Sequence, residues 1–195
     1  MTPETSRTIT DLGTLKAFAH PLRLRLYRSL TVAGAATASQ LAEQADEAVS
    51  LVSYHLRKLA AHGLIQEAEG RSTDSRERWW ELAQRGVTFR DRDFSDAPER
   101  AAALGAAVRL LFRQRVEMYE RYLDEQAAWG EEWRAAAISS ESLLSLTAQE
   151  LAALEQEMYA VVDKWQAHGR AAAEAGDTEG RESVTLHRYG FPFRP

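Results

Sequence analysis

The chain contains no cysteine among its 195 residues. A disulfide framework and any metal site built from thiolates are therefore excluded. No apolar run approaches the length that crosses a bilayer, and the first residues, Met1-Thr2-Pro3-Glu4-Thr5, are polar rather than those of a signal peptide. Because 45% of the residues are hydrophobic, a core is available. We expect a soluble, ordered protein of one large or two small domains, without a membrane partner.

The sequence motifs of catalysis are also missing. No Gly-rich phosphate loop, nucleophile elbow or His-Glu-x-x-His run occurs, and the carboxylates are scattered over predicted helix surfaces. The histidines show no paired metal-ligand spacing such as His-x3-His; they are His20, His55, His62, His168 and His187. We therefore expect neither an enzyme, nor a cofactor, nor a metal site.

Charge is divided unevenly along the chain. Residues 1–90 carry 12 Lys and Arg against 10 Asp and Glu, a formal +2, whereas residues 91–195 carry 12 against 19, a formal −7. In the first half the positive side chains cluster on three segments, as Arg23, Arg25 and Arg28, as Arg57 and Lys58, and as Arg71, Arg76 and Arg78. An acidic second half does not prevent these positive segments from binding an anionic partner, because screening limits its field to about 8 Å at physiological salt.

The most informative segment is Ser53-Tyr54-His55-Leu56-Arg57-Lys58-Leu59. Val52, Leu56 and Leu59 recur at spacings of four and three, which places them on one side of a helix. The other side offers hydroxyls, an aromatic ring and cations, from Ser50, Ser53, Tyr54, Arg57 and Lys58. A helix that buries one stripe and presents donors and positive charge on the other can lie in a DNA major groove. By itself the pattern fits an ordinary amphipathic helix with a solvated face equally well.

The segments on either side of this helix favour the DNA-binding interpretation. Upstream, Thr37 and Gln40 have the spacing of a capping box, and the helix they begin ends near Asp46. Two short helices with a tight connection are the helix-turn-helix pattern. Downstream, Gly63 is placed to end the second helix in the left-handed region, with Leu64 making the apolar contact.

A β-hairpin is predicted next. Residues 65–69 and 78–82 are short strand-like segments around a polar loop, residues 70–77. Trp80 and Leu82 share one face of the second strand and Trp79 shares the other with Glu81, so one tryptophan should pack under the hairpin. A helix-turn-helix followed at once by a hairpin is a winged helix.

Several phrases resemble the ArsR-type winged-helix repressors. These are Leu15-Lys16-Ala17-Phe18-Ala19-His20-Pro21-Leu22-Arg23-Leu24-Arg25-Leu26, Val52 to Leu59, Gly63-Leu64-Ile65 and Arg76-Glu77-Arg78-Trp79-Trp80. The resemblance covers about residues 11–90 and implies a cytoplasmic bacterial transcription regulator, usually a homodimer, that represses at a near-palindromic operator. The chain departs from the metal-sensing members of that family, whose ligands are cysteines or paired His and carboxylate residues.

On this basis the DNA-binding residues are predicted to be Ser50, Leu51, Ser53, Tyr54, His55, Arg57, Lys58, Arg71, Arg76 and Arg78. The helix residues would face base edges and nearby phosphates, and the hairpin arginines the DNA backbone or the adjacent minor groove. His55 lies beside the apolar stripe, so a packed histidine is the alternative for it. The alternative for the hairpin arginines is a solvated loop in which they pair with Asp74 and Glu77. Ala48 and Val49 are poor N-caps, so the helix start is not fixed by the pattern.

The second half is predicted to be helical, with long apolar stripes. One helix runs from Glu99, after Pro98, to about Trp129, and its two adjoining stripes are Leu104, Val108, Leu111, Met118, Tyr122 and Phe112, Val116, Tyr119, Leu123. Another runs from the capping box at Thr147 to about Glu174, with a heptad stripe of Leu151, Leu154, Met158, Val161, Trp165, His168 and Ala172. We interpret these stripes as the seam of a homodimer.

Two further features of the second half bear on function. Residues 138–146 could form a strand, and residues 183–189 alternate like a strand and could pair with it. The aromatic residues Trp129, Trp133, Tyr159 and Trp165 could enclose a small apolar effector. A core and dimer interface without a ligand explains the same aromatic residues equally well.

The predicted fold class is mainly α with small β. A winged helix-turn-helix DNA-binding domain, residues 1–92, precedes a helical dimerisation and effector region with a short β-pair, residues 93–195. The predicted function is that of a sequence-specific transcriptional regulator whose partners are double-stranded DNA, a second copy of the chain and an apolar effector. The alternative is a winged-helix module that binds proteins and no specific DNA; an enzyme is the third class.

Overall fold

A computed structural model of the chain describes residues 6–68, 78–84 and 86–194. The chain forms two compact units, residues 1–124 and residues 125–195. In the described ranges, no helix has the length and apolar character needed to span a membrane.

The first unit begins with alternating short strands and helices. Its elements are β1 (Ser6–Thr8), α1 (Leu12–Phe18), α2 (Pro21–Ala33), β2 (Ala35–Thr37), α3 (Ala38–Ala45), α4 (Val49–Ala61), β3 (Ile65–Glu67), β4 (Trp79–Leu82), β5 (Gly86–Thr88) and α5 (Pro98–Glu125). A 3-10 turn, Asp91–Asp93, lies between β5 and α5. The order helix, helix, hairpin after α2 is the predicted winged helix-turn-helix.

Side-chain caps fix where the early helices begin. The Asp11 carboxylate accepts the backbone N–H of Thr14 at 2.7 Å and starts α1. Pro21 occupies the first turn of α2, where a missing N–H costs nothing. The predicted capping box of α3 is confirmed: the Gln40 backbone N–H donates to the Thr37 hydroxyl at 3.3 Å, and the Thr37 backbone N–H donates to the Gln40 side-chain oxygen at 2.9 Å.

The hairpin forms two strands of an antiparallel sheet with the order β2-β4-β3. Ala36 pairs with Trp80, and Ile65 pairs with Leu82. A second, parallel pair joins β1 to β5, with Arg7 opposite Val87. Strands β1, β2 and β5 were not predicted from the sequence, because three residues are too few to show an alternation and none of the three borders the polar loop that marked the hairpin.

One hydrophobic core holds the first unit together. Its fully buried members include Leu26, Leu30, Leu41, Leu56 and Phe94. Trp80 is buried at 5% exposure whereas Trp79 is only half-buried, so the predicted separation of the two tryptophans is confirmed. On α5, Leu104, Ala107 and Leu111 are also buried in this core.

The second unit contains a 3-10 turn (Gln126–Trp129), α6 (Gly130–Ala136) and α7 (Ala148–Glu174). The capping box that begins α7 is confirmed, since the Thr147 hydroxyl accepts the backbone N–H of Glu150 at 3.2 Å and the Thr147 backbone N–H donates to the Glu150 carboxylate at 2.7 Å.

The predicted C-terminal β-pair is wrong. Residues 137–147 and 181–194 are described and carry no helix or strand. Their apolar side chains are exposed, including Ile138, Leu143, Val184 and Leu186. An alternating pattern describes one face of a strand, but a strand exists only where a partner backbone accepts and donates its hydrogen bonds.

Candidate nucleic-acid interface

Helix α4 divides into a buried and an exposed side. Val52, Leu56 and Leu59 are fully buried against the core, as their spacing predicts. The opposite side carries Ser50, Leu51, Tyr54, Arg57 and Lys58 exposed and Ser53 half-buried. Leu51 and Tyr54 keep 40% and 47% of their surface exposed, which is high for large apolar side chains. The exposed side therefore offers both hydrogen-bonding groups and apolar surface to a partner.

The C-terminal end of α4 is fixed by a Schellman motif. Gly63 has φ of 62°, its N–H donates to the Ala60 carbonyl at 2.8 Å, and the Leu64 N–H donates to the Leu59 carbonyl at 3.0 Å. Leu64 is buried, so the chain turns directly from the helix into β3. The motif thereby sets the angle between α4 and the hairpin.

The N-terminal end of α4 has no side-chain cap. The helix begins at Val49, and the preceding Ala48 has extended backbone and no acceptor on its side chain. The partial positive charge of the helix terminus is therefore left for another acceptor. Ser50 lies exposed in this first turn, which adds a hydroxyl beside the backbone N–H groups.

Cations from two elements border one open groove. Arg57 of α4 and Arg78, just before β4, both line the groove between the helix and the hairpin, together with Gly63, Gln66 and Trp80. On α4 itself, the Lys58 ammonium lies 5.7 Å from the centre of the Tyr54 ring.

Of the three arginines predicted on the hairpin, only Arg78 lies in the described part of the chain. The Arg78 guanidinium donates to the Glu67 carboxylate across the hairpin at 2.9 Å. Arg71 and Arg76 lie outside the described residues. The pairing of Arg78 with a neighbouring acid is the kind of contact that the alternative of a solvated hairpin envisaged, although with Glu67 instead of Asp74 or Glu77.

His55 is not placed on the exposed side of α4. Its side chain is 6% exposed, and its ring lies against His20, with centroids 4.6 Å apart, and against Tyr54, with centroids 5.1 Å apart. A buried ring cannot reach a base edge, so its predicted place among the DNA-binding residues is replaced by the packed alternative. The reason is its position next to the apolar stripe, where α2 covers it.

The basic residues of α2 are held by contacts within the unit: Arg25 stays exposed, whereas Arg23 and Arg28 are partly buried. Arg25 donates to the Ala45 carbonyl at 2.6 Å, and Arg28 donates to the Gln114 side chain on α5 at 3.2 Å. Burial lowers the pKa of Arg28 and that of Arg23 below the usual arginine value. Counting Arg23 and Arg28 with the positive cluster overstated the charge that the surface presents, and only tertiary contacts could show this.

The four aromatic residues predicted to bind an effector are on different parts of the second unit. Trp129 ends the 3-10 turn and Trp133 lies on α6, while Tyr159 and Trp165 lie on α7. Trp165 is 63% exposed and meets the edge of the His168 ring at 5.4 Å, and the Arg188 guanidinium lies 4.8 Å from the Tyr159 ring centre. Effector binding at these residues stays a prediction.

Within the described part of the chain, no three His, Asp or Glu side chains are placed to hold a metal ion.

Comparison with known protein families assigns the region around α4 to a helix-turn-helix domain. Residues 18–67 match the family model of a helix-turn-helix domain. This range contains all of α2, α3 and α4 and the first strand of the hairpin. The helix-turn-helix predicted from the sequence is thus confirmed. None of the proteins of curated function matches the chain.

Solved structures of similar local fold include three regulators. A homodimeric winged helix-turn-helix DNA-binding domain from Mycobacterium bovis, described as a possible ArsR-family regulator, is 19% identical over 54% of this chain and 81% of its own, with a TM-score of 0.33. An ArsR family transcriptional regulator is 23% identical over 55% and 88%, with a TM-score of 0.31. A transcriptional regulator homologue from Pyrococcus horikoshii is 22% identical over 49% and 88%, also with a TM-score of 0.31. With TM-scores this low, the three structures are similar to this chain only locally, and the helix-turn-helix assignment rests on the family model.

Proposed function

Because residues 18–67 form a helix-turn-helix domain, we propose that this chain is a sequence-specific DNA-binding transcriptional regulator of the ArsR type. It binds a near-palindromic operator as a homodimer and represses transcription there. A small apolar effector that binds the second half would release it. In this proposal, as in the sequence prediction, residues 1–92 bind DNA and residues 93–195 form the dimer.

The observation that carries the proposal is the two-sided structure of α4. Its apolar stripe is fully buried, and the side turned outward combines exposed hydroxyl, aromatic and cationic groups on a helix whose N-terminus is uncapped. Those groups are what a major-groove helix uses to contact base edges and phosphates. An amphipathic helix that merely faced water would not need to expose Leu51 and Tyr54.

The proposed DNA-binding residues divide by the type of contact. Those near the N-terminus of α4 face base edges and nearby phosphates, and they are Ser50, Leu51, Ser53 and Tyr54. Arg57 reaches a guanine or a phosphate, and Lys58 a phosphate. Arg78 contacts the DNA backbone beside the hairpin, after exchanging Glu67 for a phosphate. Arg71 and Arg76 remain proposed members, from the sequence alone.

Exposed apolar stripes support the homodimer. On α5, Val108, Phe112, Val116, Tyr119 and Leu123 are all at least 39% exposed and follow each other at spacings of three and four. On α7, Met158, Val161 and Trp165 are exposed at the same kind of spacing. Contiguous apolar surface of this kind marks an interface. A second copy of the chain supplies a matching stripe, because it carries the same residues.

Selection of bound sequences from a random DNA pool tests the proposal. We expect enrichment of a near-palindrome whose half-sites lie about one helical turn apart. If no sequence is enriched while the chain still binds a protein partner, the protein-interaction module is the correct function and the proposal is wrong.

Variants at the exposed cations then test the surface. With the selected DNA, Arg57→Ala should weaken binding about 5- to 150-fold and relax specificity at one position, and Lys58→Ala should reduce the salt dependence by about one unit of slope. Arg134→Ala is the control, since it removes an exposed charge from α6, outside the proposed surface. Equal effects of all three variants in fluorescence anisotropy would show that α4 is not the binding helix.

A further inference from the structure

Beneath the exposed side of α4, one partly buried contact joins His55 to Arg23 of α2. The Nη1 atom of Arg23 lies 3.3 Å from Nδ1 of His55. Arginine stays protonated and can only donate. The Nδ1 atom must therefore accept, which requires a neutral imidazole with its hydrogen on Nε2.

Arg23 is itself held in place by the end of α1. Its Nε donates to the Ala17 carbonyl, and its Nη2 donates to the Lys16 carbonyl at 3.2 Å. These carbonyls belong to the last turn of α1, where a cation also complements the helix dipole. Arg23 thus connects three helices, α1 through two carbonyls, α2 through its own backbone and α4 through His55.

The ring of His55 also supports a residue of the proposed DNA-binding surface. Tyr54 meets the His55 ring edge-on, with an interplanar angle of 76°. The His20 ring also contacts the His55 ring, at an interplanar angle of 36°, and the buried Nδ1 of His20 finds no hydrogen-bond partner among the described residues. A change in the tilt of the His55 ring would therefore alter its contact with Tyr54.

Burial and the Arg23 charge outweigh Glu47, so the surroundings of His55 oppose its protonation. Arg23 of α2 and His20, the residue just before α2, contribute a guanidinium and a second imidazole. From α4 come Tyr54 and, above its ring, Lys58, and from the turn before α4 comes Glu47. The α1 end contributes the carbonyls that hold Arg23. Burial and then the Arg23 charge lower the pKa of His55, while Glu47 acts in the opposite sense. Burial, Arg23 and His55 likewise lower the pKa of His20.

We propose that His55 and Arg23 are positioning residues for the DNA-binding side of α4, and that mild acid weakens DNA binding by protonating Nδ1 of His55. The added proton takes the lone pair that Arg23 uses and sets two cations in contact. The His55 ring then moves away from Arg23 and displaces Tyr54. This inference rests on the proposed function, because it concerns the affinity for DNA.

The direction of the effect separates this mechanism from general electrostatics. Protonation of histidines normally strengthens attachment to DNA, because it adds positive charge near phosphates. Here the affinity should fall with pH. One unit of difference between the pKa of His55 in the bound and the free protein corresponds to a tenfold change in affinity.

Binding to the selected DNA should be measured by fluorescence anisotropy between pH 8 and pH 5.5 at constant ionic strength. We expect the affinity of the natural chain to fall by up to about fivefold, because the full tenfold change for one pKa unit is reached only below both pKa values of His55. In His55→Asn the amide oxygen lies near the position of Nδ1 and can accept the same hydrogen bond, but it cannot be protonated. Asparagine and histidine have similar helix propensities, so α4 should be preserved. This variant should lose the acid sensitivity. His187→Asn, outside the first unit, should keep it.

The outcomes distinguish this inference from the proposed function. If no DNA sequence is bound at pH 8, both fail. If DNA is bound but the affinity does not fall in acid, or His55→Asn falls as the natural chain does, only the inference about His55 is overturned.

A second measurement tests the same contact without depending on how well His55→Asn folds. In the natural chain, NMR titration of the imidazole signals should place His55 below the ordinary histidine value of about 6.5. In Arg23→Gln the His55 midpoint should rise, because a cation has been replaced by a neutral donor. An unchanged midpoint would contradict the Arg23 contact.

Discussion

Gly63 is the single residue on which the passage from α4 to the hairpin depends most. Its φ of 62° lies in the left-handed region that side chains disfavour. A Cβ built at this position would lie 2.7 Å from Nη1 of Arg7. The Arg7 side chain is long and can move, so the backbone conformation is the larger obstacle to substitution.

Gly63→Ala should therefore lower the free energy of unfolding by about 1–2 kcal/mol. Gly105→Ala is the matched control, because Gly105 lies within α5 and its added Cβ would make only ordinary contacts at 3.5 Å. That control should raise the free energy of unfolding by about 0.5–1 kcal/mol. Urea denaturation followed by circular dichroism measures both. A neutral Gly63→Ala would mean that the left-handed turn is not formed in solution.

The neighbouring tryptophans Trp79 and Trp80 offer a second test at this scale. Trp80 is buried in the core, so Trp80→Ala should lower the free energy of unfolding by about 3–5 kcal/mol. Trp79→Ala removes a half-buried ring from the other face of β4 and should cost clearly less. Thermal and urea unfolding of the two variants compare them directly. Equal losses would show that β4 is shifted by one residue.

Among the elements, α3 and α7 begin with the same chemistry in different surroundings. Both have a threonine capping box. Thr37 is 2% exposed and lies at the junction of β2 and α3, whereas Thr147 is exposed. Water can replace the lost hydrogen bond only at the exposed site.

Thr37→Ala should therefore cost about 1–2 kcal/mol of unfolding free energy, near the upper end for a lost N-cap. Thr147→Ala should cost about 0.5–1 kcal/mol. Hydrogen exchange of the first-turn amides of α3 and α7 locates each effect, and urea unfolding gives its size. A larger loss at Thr147 would indicate that α7 is buried against a partner in solution.

For the whole molecule, the exposed stripe on α5 makes assembly testable. Val116→Glu puts a charge in the middle of this stripe. Leaving an unpaired charge buried at an interface costs about 3–5 kcal/mol, so the dimer dissociation constant should rise at least about a hundredfold. The control is Ala106→Glu, an exposed position about 120° around α5 from the centre of the stripe.

Sedimentation equilibrium measures the assembly state of both variants. We expect Val116→Glu to be monomeric at concentrations where Ala106→Glu and the natural chain are dimers. A dimer that survives Val116→Glu would place the seam elsewhere, with the exposed stripe of α7 as the next candidate.

Features that depend on neighbouring residues could be predicted from the sequence. The spacing of Val52, Leu56 and Leu59 fixes which side of α4 is buried, since every residue of a helix has a set direction. The capping box at Thr37 and the glycine end at Gly63 need only groups within a few positions in the chain. The same spacing also predicts which side of α4 is proposed to bind DNA, because that side lies opposite the buried stripe.

Contacts between distant residues were decided by the tertiary structure alone. Burial of His55 requires α2 to cover it, and the role of Arg23 requires a histidine 32 positions away. Strand β2 exists because β4 supplies its hydrogen bonds, whereas residues 183–189 alternate as well as any strand and have no such pairing. Local order is set by steric preferences of adjacent residues, but burial, charge pairing and strand formation each need a partner that the local pattern does not specify.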